Sequence, residues 1–241
     1  MLRVNRELSF IEDPLRILRG VQFMARFELE VEEKTFELMK KYAELIKTVS
    51  PDRVRDELTK LLTKAKKPSR GLILCHDTGI LEIIIPELDA TYGITQNEYH
   101  PDDIFMHSLK TCDEIKMELE LRWSALLHDV GKRQMKKVVD GKVVFYNHEV
   151  VSADQSEAIL KRFKYSNKVI DKVKLLVRYH MFNLDETASD SAIGRFIRRV
   201  GRDNIDAILE LRRADLCSRG VDGVSDQVGN CLLYTSPSPR D

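Results

Sequence analysis

No stretch of this 241-residue chain approaches the ~18 consecutive apolar residues needed to cross a bilayer, and its amino end, MLRVNRELSF, has no apolar signal core. A membrane protein and a secreted precursor are therefore not expected, and the cytoplasm is the default compartment. Cysteine is scarce. The four residues, at 75, 112, 217 and 231, show no C-x-x-C spacing, which argues against a disulfide framework and against a zinc knuckle. Net charge is also lacking, since 39 Lys and Arg balance 39 Asp and Glu. Bulk electrostatics thus give no pull toward nucleic acid or a membrane surface. There are no internal repeats.

What remains is enough to build cores, because 43% of the residues are hydrophobic, and the length suits one large or two modest domains. The apolar residues recur with helical spacing in PLRILRGVQFMARF, EKTFELMKKYAELIKTV, DRVRDELTKLLTKA, GLILCHDTG, FMHSLKTCDEIKMEL, LRWSALLHDV, SADQSEAILKRF, NKVIDKVKLLVRYH, DSAIGRFIRRV and NIDAILELRRADL. Only KKVVDGKVVFY reads as strands, its Asp-Gly between β-branched pairs marking a tight hairpin. TYGITQNEYHPDD, near Tyr92 to Asp102, breaks the periodicity. The expected fold is all-α: a helical neck and body over residues 1–92, then a helical bundle with one small β-hairpin over 93–221, with 222–230 as the start of a continuation.

Dispersed through the second part is a set of residues able to ligate metal: His107, His128 and Asp129 in LLHDVGK, His148 in FYNHE, His180 in RYHMF, and Asp215 in RRADL. Imidazole and carboxylate together suit a divalent ion (Mg, Mn, Ni, Fe or Zn), and an ion with open positions can activate water against a phosphate ester. A single histidine in an apolar setting is more often a satisfied core residue. The adjacent His-Asp pair changes those odds, because it closes the apolar run LRWSALL and puts two ligands at one helix end. Lys132, three residues on, could face a phosphate as a point charge in catalysis, or be an exposed loop lysine.

From about Asp103 to Arg219 this pattern resembles the HD phosphohydrolase superfamily: a His, then His-Asp, further histidines, and a distal Asp. The resemblance implies that His107, His128, Asp129 and Asp215 hold a first metal, and that His148 and His180 bind a second metal or the substrate phosphate.

A second signature is SFIEDPLRILRGVQFMARF followed by SPDRVRDELTKLL. Asp13 before Pro14 reads as an N-cap with proline at the first helical position, which puts Asp13 and Arg16 on one helix face. An Asp that accepts and an Arg that donates also match cytosine and adenine, which both present an exocyclic amine beside a ring nitrogen. This stretch, with GLILCHDTGILEIIIPEL after it, resembles the neck of tRNA nucleotidyltransferases (CCA-adding enzymes) and bacterial poly(A) polymerases. The resemblance runs to about Asn230. It implies that Glu12, Asp13 and Arg16 form an amino-acid template for CTP and ATP, and that tRNA or another RNA 3′ end is the partner. The basic residues Arg53, Arg55, Lys64, Lys66, Lys67 and Arg70 are the candidate RNA contacts, with a further run at Arg195, Arg198, Arg199 and Arg202.

The chain departs from that family in three places. Members open with a head domain that carries a Gly-Ser-type phosphate loop and a D-x-D pair for Mg²⁺, and nothing here corresponds to it. Gln22 stands where many relatives have Arg, and Glu28 where Gly usually follows Arg-Phe. At the other end, back-translation of Cys231 to Asp241 matches a transposase-type sequencing adapter, so this tail is expected to be disordered. The chain is accordingly expected to be a fragment of its parent, cut at both ends, retaining metal-dependent phosphoester hydrolysis toward 2′,3′-cyclic phosphates, 2′-nucleotides or damaged RNA ends. Two other functions compete with this one: a non-catalytic RNA-binding module with a structural HD fold, and a free-standing HD nucleotide hydrolase.

Overall fold

The computed structural model describes residues 1–96, 102–182 and 189–219; the segment 222–241, with the adapter-like tail, lies outside them. Helices dominate, as expected. The first part contains α1 (Leu8–Glu12), α2 (Leu15–Arg26), α3 (Glu33–Lys41), α4 (Pro51–Lys64), α5 (Ser69–Asp77), α6 (Ile80–Ile84) and α7 (Pro86–Asp89). The second contains α8 (Ile104–Glu114), α9 (Leu119–Leu127), α10 (Lys132–Met135), α11 (His148–Arg162), α12 (Asn167–Tyr179), α13 (Asp190–Val200) and α14 (Ile205–Cys217). The hairpin is where the Asp-Gly placed it. Strands β1 (Lys137–Val139) and β2 (Lys142–Val144) pair antiparallel, and Asp140 and Gly141 both take positive φ, as a two-residue turn of this kind demands.

Helix α2 buries Leu15, Ile17, Leu18, Val21, Met24 and Ala25 against α4 and α5. Gly71 lets α5 come close to both, since a Cβ there would lie 2.7 Å from Leu61 Cδ1 of α4 and 3.2 Å from Val21 Cγ1 of α2. Helix α2 ends through Glu28, whose φ of 52° is left-handed while Leu29 N–H reaches back to Met24 O at 2.9 Å. This αL closure favours glycine.

Helix α9 is the axis of the second part. Every residue from Leu121 to Leu127 is buried, the signature of a helix enclosed on all sides, and α8, α12, α14 and α4 pack around it. Its one charged member inside, Arg122, donates to Cys112 O at the end of α8 and to Lys66 O just after α4. Trp123 stacks on Phe163 and Tyr165, and Tyr165 shares a 2.8 Å hydrogen bond with Thr59 of α4. The two parts are thereby pinned together.

The structure corrects four local expectations. The helix expected over 33–49 divides into α3 and a 3₁₀ segment, Ala43–Thr48. The helix expected from Phe105 to Leu119 stops at Glu114, because side chains from elsewhere satisfy its terminal carbonyls: Arg122 on Cys112 O and Arg213 on Glu114 O. EIIIPEL contributes to two short helices, α6 and α7, that no period announced. Finally, Asp13 does not cap α2. Its backbone is extended between α1 and α2, Pro14 precedes the first helical residue, and no side-chain cap bond forms. Its carboxylate instead accepts from Arg53 of α4 at 3.1 and 3.4 Å. No described helix is long and apolar enough to cross a membrane.

The packing makes three substitutions informative. Gly131→Ala would drive a Cβ to 2.6 Å from Ser152 N and 2.7 Å from His148 O, both backbone atoms of α11, so it should destabilise by about 1–3 kcal/mol. In contrast, Gly194 in α13 faces open space, and Gly194→Ala should stabilise by about 0.5–1 kcal/mol. Equal thermal midpoints for the two variants would contradict this reading. Because the Asp13–Arg53 pair is largely exposed, Asp13→Ala should cost under about 1 kcal/mol, measured by urea unfolding.

Candidate metal centre

Six of the residues singled out in the sequence converge on one buried spot. His107 projects from the middle of α8, His128 and Asp129 follow α9, His148 opens α11, His180 closes α12, and Asp215 lies on α14. All six are buried.

Three of the histidines are aimed by one local device. His128 Nδ1 lies 2.8 Å from Ala125 O, His148 Nδ1 2.8 Å from Phe145 O, and His180 Nδ1 2.7 Å from Val177 O. Each is the carbonyl three residues back; for His128 and His180 it is one that a helix end leaves without an intrahelical donor. A carbonyl can only accept, so Nδ1 carries the proton and Nε2 keeps its lone pair for a ligand. His107 is fixed differently, with Nδ1 3.1 Å from Ser218 Oγ, while that hydroxyl donates to Asp215 O. Supporting hydrogen bonds of this kind set the tautomer of metal-binding histidines.

Asp129 stands at the centre. Its Oδ2 lies 3.1 Å from His128 Nε2 and 3.5 Å from His107 Nε2; its Oδ1 lies 3.1 Å from His148 Nε2 and 3.7 Å from His180 Nε2. Two groups of potential ligands therefore share one carboxylate: His107, His128 and Asp129 on one side, and Asp129, His148 and His180 on the other. Asp215 extends the first, with Oδ1 3.1 Å from His107 Nε2. Besides the Lys132 ammonium at Oδ2, the oxygens of Asp129 face only imidazole nitrogens, and neither they nor His148 Nε2 makes a well-aligned hydrogen bond among the described residues. Buried carboxylate oxygens in that state fit a cation, and this donor set is compatible with divalent metal.

Charge in the cluster follows from its geometry. Burial pushes the Asp129 carboxyl up, but the charges of His128 and Lys132 outweigh it and hold the group well below the usual carboxylate range. Burial acts the same way on Asp215, where His107, His128 and Arg219 prevail and keep it ionised. Desolvation lowers His107 and His180, which favours neutral imidazole. For His128 burial also opposes charge, yet Asp129 and Asp215 raise it above its ordinary value.

Lys132 is not an exposed loop residue. It is buried, with Nζ 2.7 Å from Asp129 Oδ2 and donating to Gln96 Oε1 at 2.7 Å. Arg219 donates to both oxygens of Asp215, and Arg212 adds a contact at 3.1 Å. Ser218, Arg219 and Gln96 were missed in the sequence. The first two lie three and four residues after Asp215, on the same helical face, which was a usable signal. Gln96 offered none.

The remaining candidates are spread over the first part. Arg16 Nη1 sits 3.6 Å from Glu12 and reaches Ser9 O at 3.5 Å. With Arg19, Ser9, Phe10 and Phe23 it lines a cavity of about 350 Å³. Arg53 holds Asp13, Arg55 donates to Lys164 O, and Arg70 donates to Leu29 O. Lys64, Lys66 and Lys67 are exposed around the end of α4.

Two family models match the chain. Residues 28–92 match the family model described as the probable RNA and SrmB-binding site of polymerase A, and residues 100–220 match the HD domain. An A-adding tRNA nucleotidyltransferase of Deinococcus radiodurans is 32% identical over 89% of this chain and 51% of its own length. A multifunctional CCA protein of Paraburkholderia phymatum is 36% identical over 74% of this chain and 44% of its own. The chain thus spans about half the length of the curated relatives it matches. Among solved structures, the Thermotoga maritima CCA-adding enzyme complexed with tRNA shares the fold at a TM-score of 0.50 and 17% identity, over 99% of this chain and 52% of that one. A tRNA-processing enzyme in an apo form does so at 0.51 and 17%, over 96% and 59%. With an HD match across half its residues and an RNA-binding match before it, the chain belongs to the tRNA nucleotidyltransferase and poly(A) polymerase family and carries an HD domain.

Proposed function

We propose that this chain is the template, RNA-contacting and HD portion of an enzyme that acts on tRNA 3′ ends, and that its histidine–aspartate cluster hydrolyses phosphoesters with divalent metal. The observation that carries the hydrolase reading is Asp129, whose buried carboxylate is shared by two groups of potential metal ligands, one with His107 and His128, the other with His148 and His180. His107, His128, Asp129 and Asp215 would hold one ion, and Asp129, His148 and His180 a second. Bound there, divalent ions supply Lewis acidity toward phosphoryl and water oxygens.

The chain's own residues prepare the site. Backbone carbonyls lock three imidazoles in the tautomer that presents Nε2, and Ser218 does so for His107. Arg212 and Arg219 hold Asp215 in one orientation. Lys132 brings a positive charge beside Asp129, where an anionic substrate would be attracted. Every ligand position is filled and all six meet, which favours hydrolysis over a purely structural HD fold. Substrates of the expected class are 2′,3′-cyclic phosphates, 2′-nucleotides and damaged RNA ends.

In the first part, Asp13 and Arg16 would select CTP and ATP. An acceptor and a donor side by side suit the base edges of cytosine and adenine and leave buried polar atoms unpaired against uracil or guanine. Arg53 holds the Asp13 carboxylate in place. Lys64, Lys66 and Lys67, exposed on one connection, are suited to a phosphate backbone. The names of the relatives and the polymerase A match support this reading.

Hydrolysis of bis-p-nitrophenyl phosphate by the Mn²⁺-loaded chain tests the proposal. Asp129→Ala should fall to background, since both ligand groups lose their shared member. Ser218→Ala, which removes the hydroxyl beside His107 Nδ1, should lose about 10–100-fold. His76→Ala, outside the cluster, should match the parent. Parental activity in metal-loaded Asp129→Ala would refute the assignment.

A further inference from the structure

We infer that Gln96 is a substrate-binding residue of the HD site, donating its side-chain amide N–H to a phosphoryl oxygen; this rests on the hydrolase reading above. Gln96 lies between the two matched family stretches, in neither of them. It is 6% exposed. Its Oε1 accepts from Lys132 Nζ at 2.7 Å, and that ammonium is 2.7 Å from Asp129 Oδ2. The amide is therefore one residue removed from the shared carboxylate. Lys136 holds the same segment by donating to Thr95 O at 3.0 Å.

The other half of the amide is what points to a ligand. Gln96 Nε2 is buried and has no hydrogen-bond partner among the described residues. Flipping the amide does not relieve this, because it would turn two N–H donors against an ammonium that can only donate. An unmatched buried donor destabilises the protein by itself, so its retention beside the metal cluster calls for an acceptor that arrives with the substrate. Phosphoryl oxygen is the acceptor that suits the place. It is anionic, it would lie next to the Lys132 charge, and a hydrogen bond to a charged acceptor is stronger than a neutral one.

A merely structural alternative is that Gln96 exists to hold Lys132. Gln96→Glu separates the two, since it keeps an acceptor for the ammonium and replaces the donor with a negative group. Gln96→Leu removes both functions. We would titrate inorganic phosphate into the Mn²⁺-loaded full chain by calorimetry and measure KM and kcat for bis-p-nitrophenyl phosphate.

Both variants should bind Mn²⁺ as the parent does, bind phosphate about tenfold more weakly or worse, and raise KM with kcat little changed, the pattern of lost uniform binding. Phosphate affinity and KM in Gln96→Glu equal to the parent's would overturn the assignment and leave Gln96 as a support for Lys132. If the parent bound Mn²⁺ but neither phosphate nor ester, the hydrolase reading would fail and this assignment with it, so the two failures are distinguishable.

Discussion

Two carboxylates and four imidazoles sealed from solvent would be costly to assemble, because each buried charge loses several kcal/mol of hydration. The protein meets that cost by surrounding Asp129 and Asp215 with positive groups. Lys132 faces the first, and Arg212 and Arg219 face the second. Even so, Oδ1 of Asp129 faces only the imidazoles of His148 and His180 among the described residues. The bundle is arranged around that imbalance. Helices α8, α11, α12 and α14 and the end of α9 each bring a ligand to it, and α9 is buried on every side so that its carboxyl end can reach the centre.

The same helix couples the site to the rest of the molecule. Arg122 joins the end of α8 to the segment after α4, and Trp123 rests on Phe163 and Tyr165, the latter bonded to Thr59. Arg55, a candidate RNA contact, donates to Lys164 O across the same junction. Its side chain therefore has an internal role whatever else it touches. Helix α2, which bears Arg16 and begins just after Asp13, packs on α4, and α4 packs on α9, so the candidate template residues and the histidine–aspartate cluster share one framework.

The histidine–aspartate cluster was legible in the sequence because its chemistry is local and unusual. A His-Asp pair at the end of an apolar run, and histidines near helix ends, place themselves. The hairpin was legible for the same reason, since Asp140-Gly141 encodes a turn in two residues. What could not be read depends on distant partners. Asp13 has the composition of a cap, yet Arg53, forty residues away, takes its carboxylate. The period through FMHSLKTCDEIKMEL is unbroken, but Arg122 and Arg213 satisfy the carbonyls that end α8. The sequence left Lys132 either a charge for a phosphate or an exposed loop lysine, and only the fold shows it enclosed between Asp129 and Gln96. Gln96 itself belongs to no periodic segment and no motif, so only its burial and its unmatched amide bring it into view.

The central claim is that Asp129 is a carboxylate shared by two metal positions. Anomalous diffraction at the manganese edge, from crystals of the chain grown with Mn²⁺, tests it most directly. The account predicts two peaks flanking Asp129, one ligated by His107, His128 and Asp215, the other by His148 and His180. A single peak that Asp129 does not touch, or no peak within reach of these side chains, would contradict it.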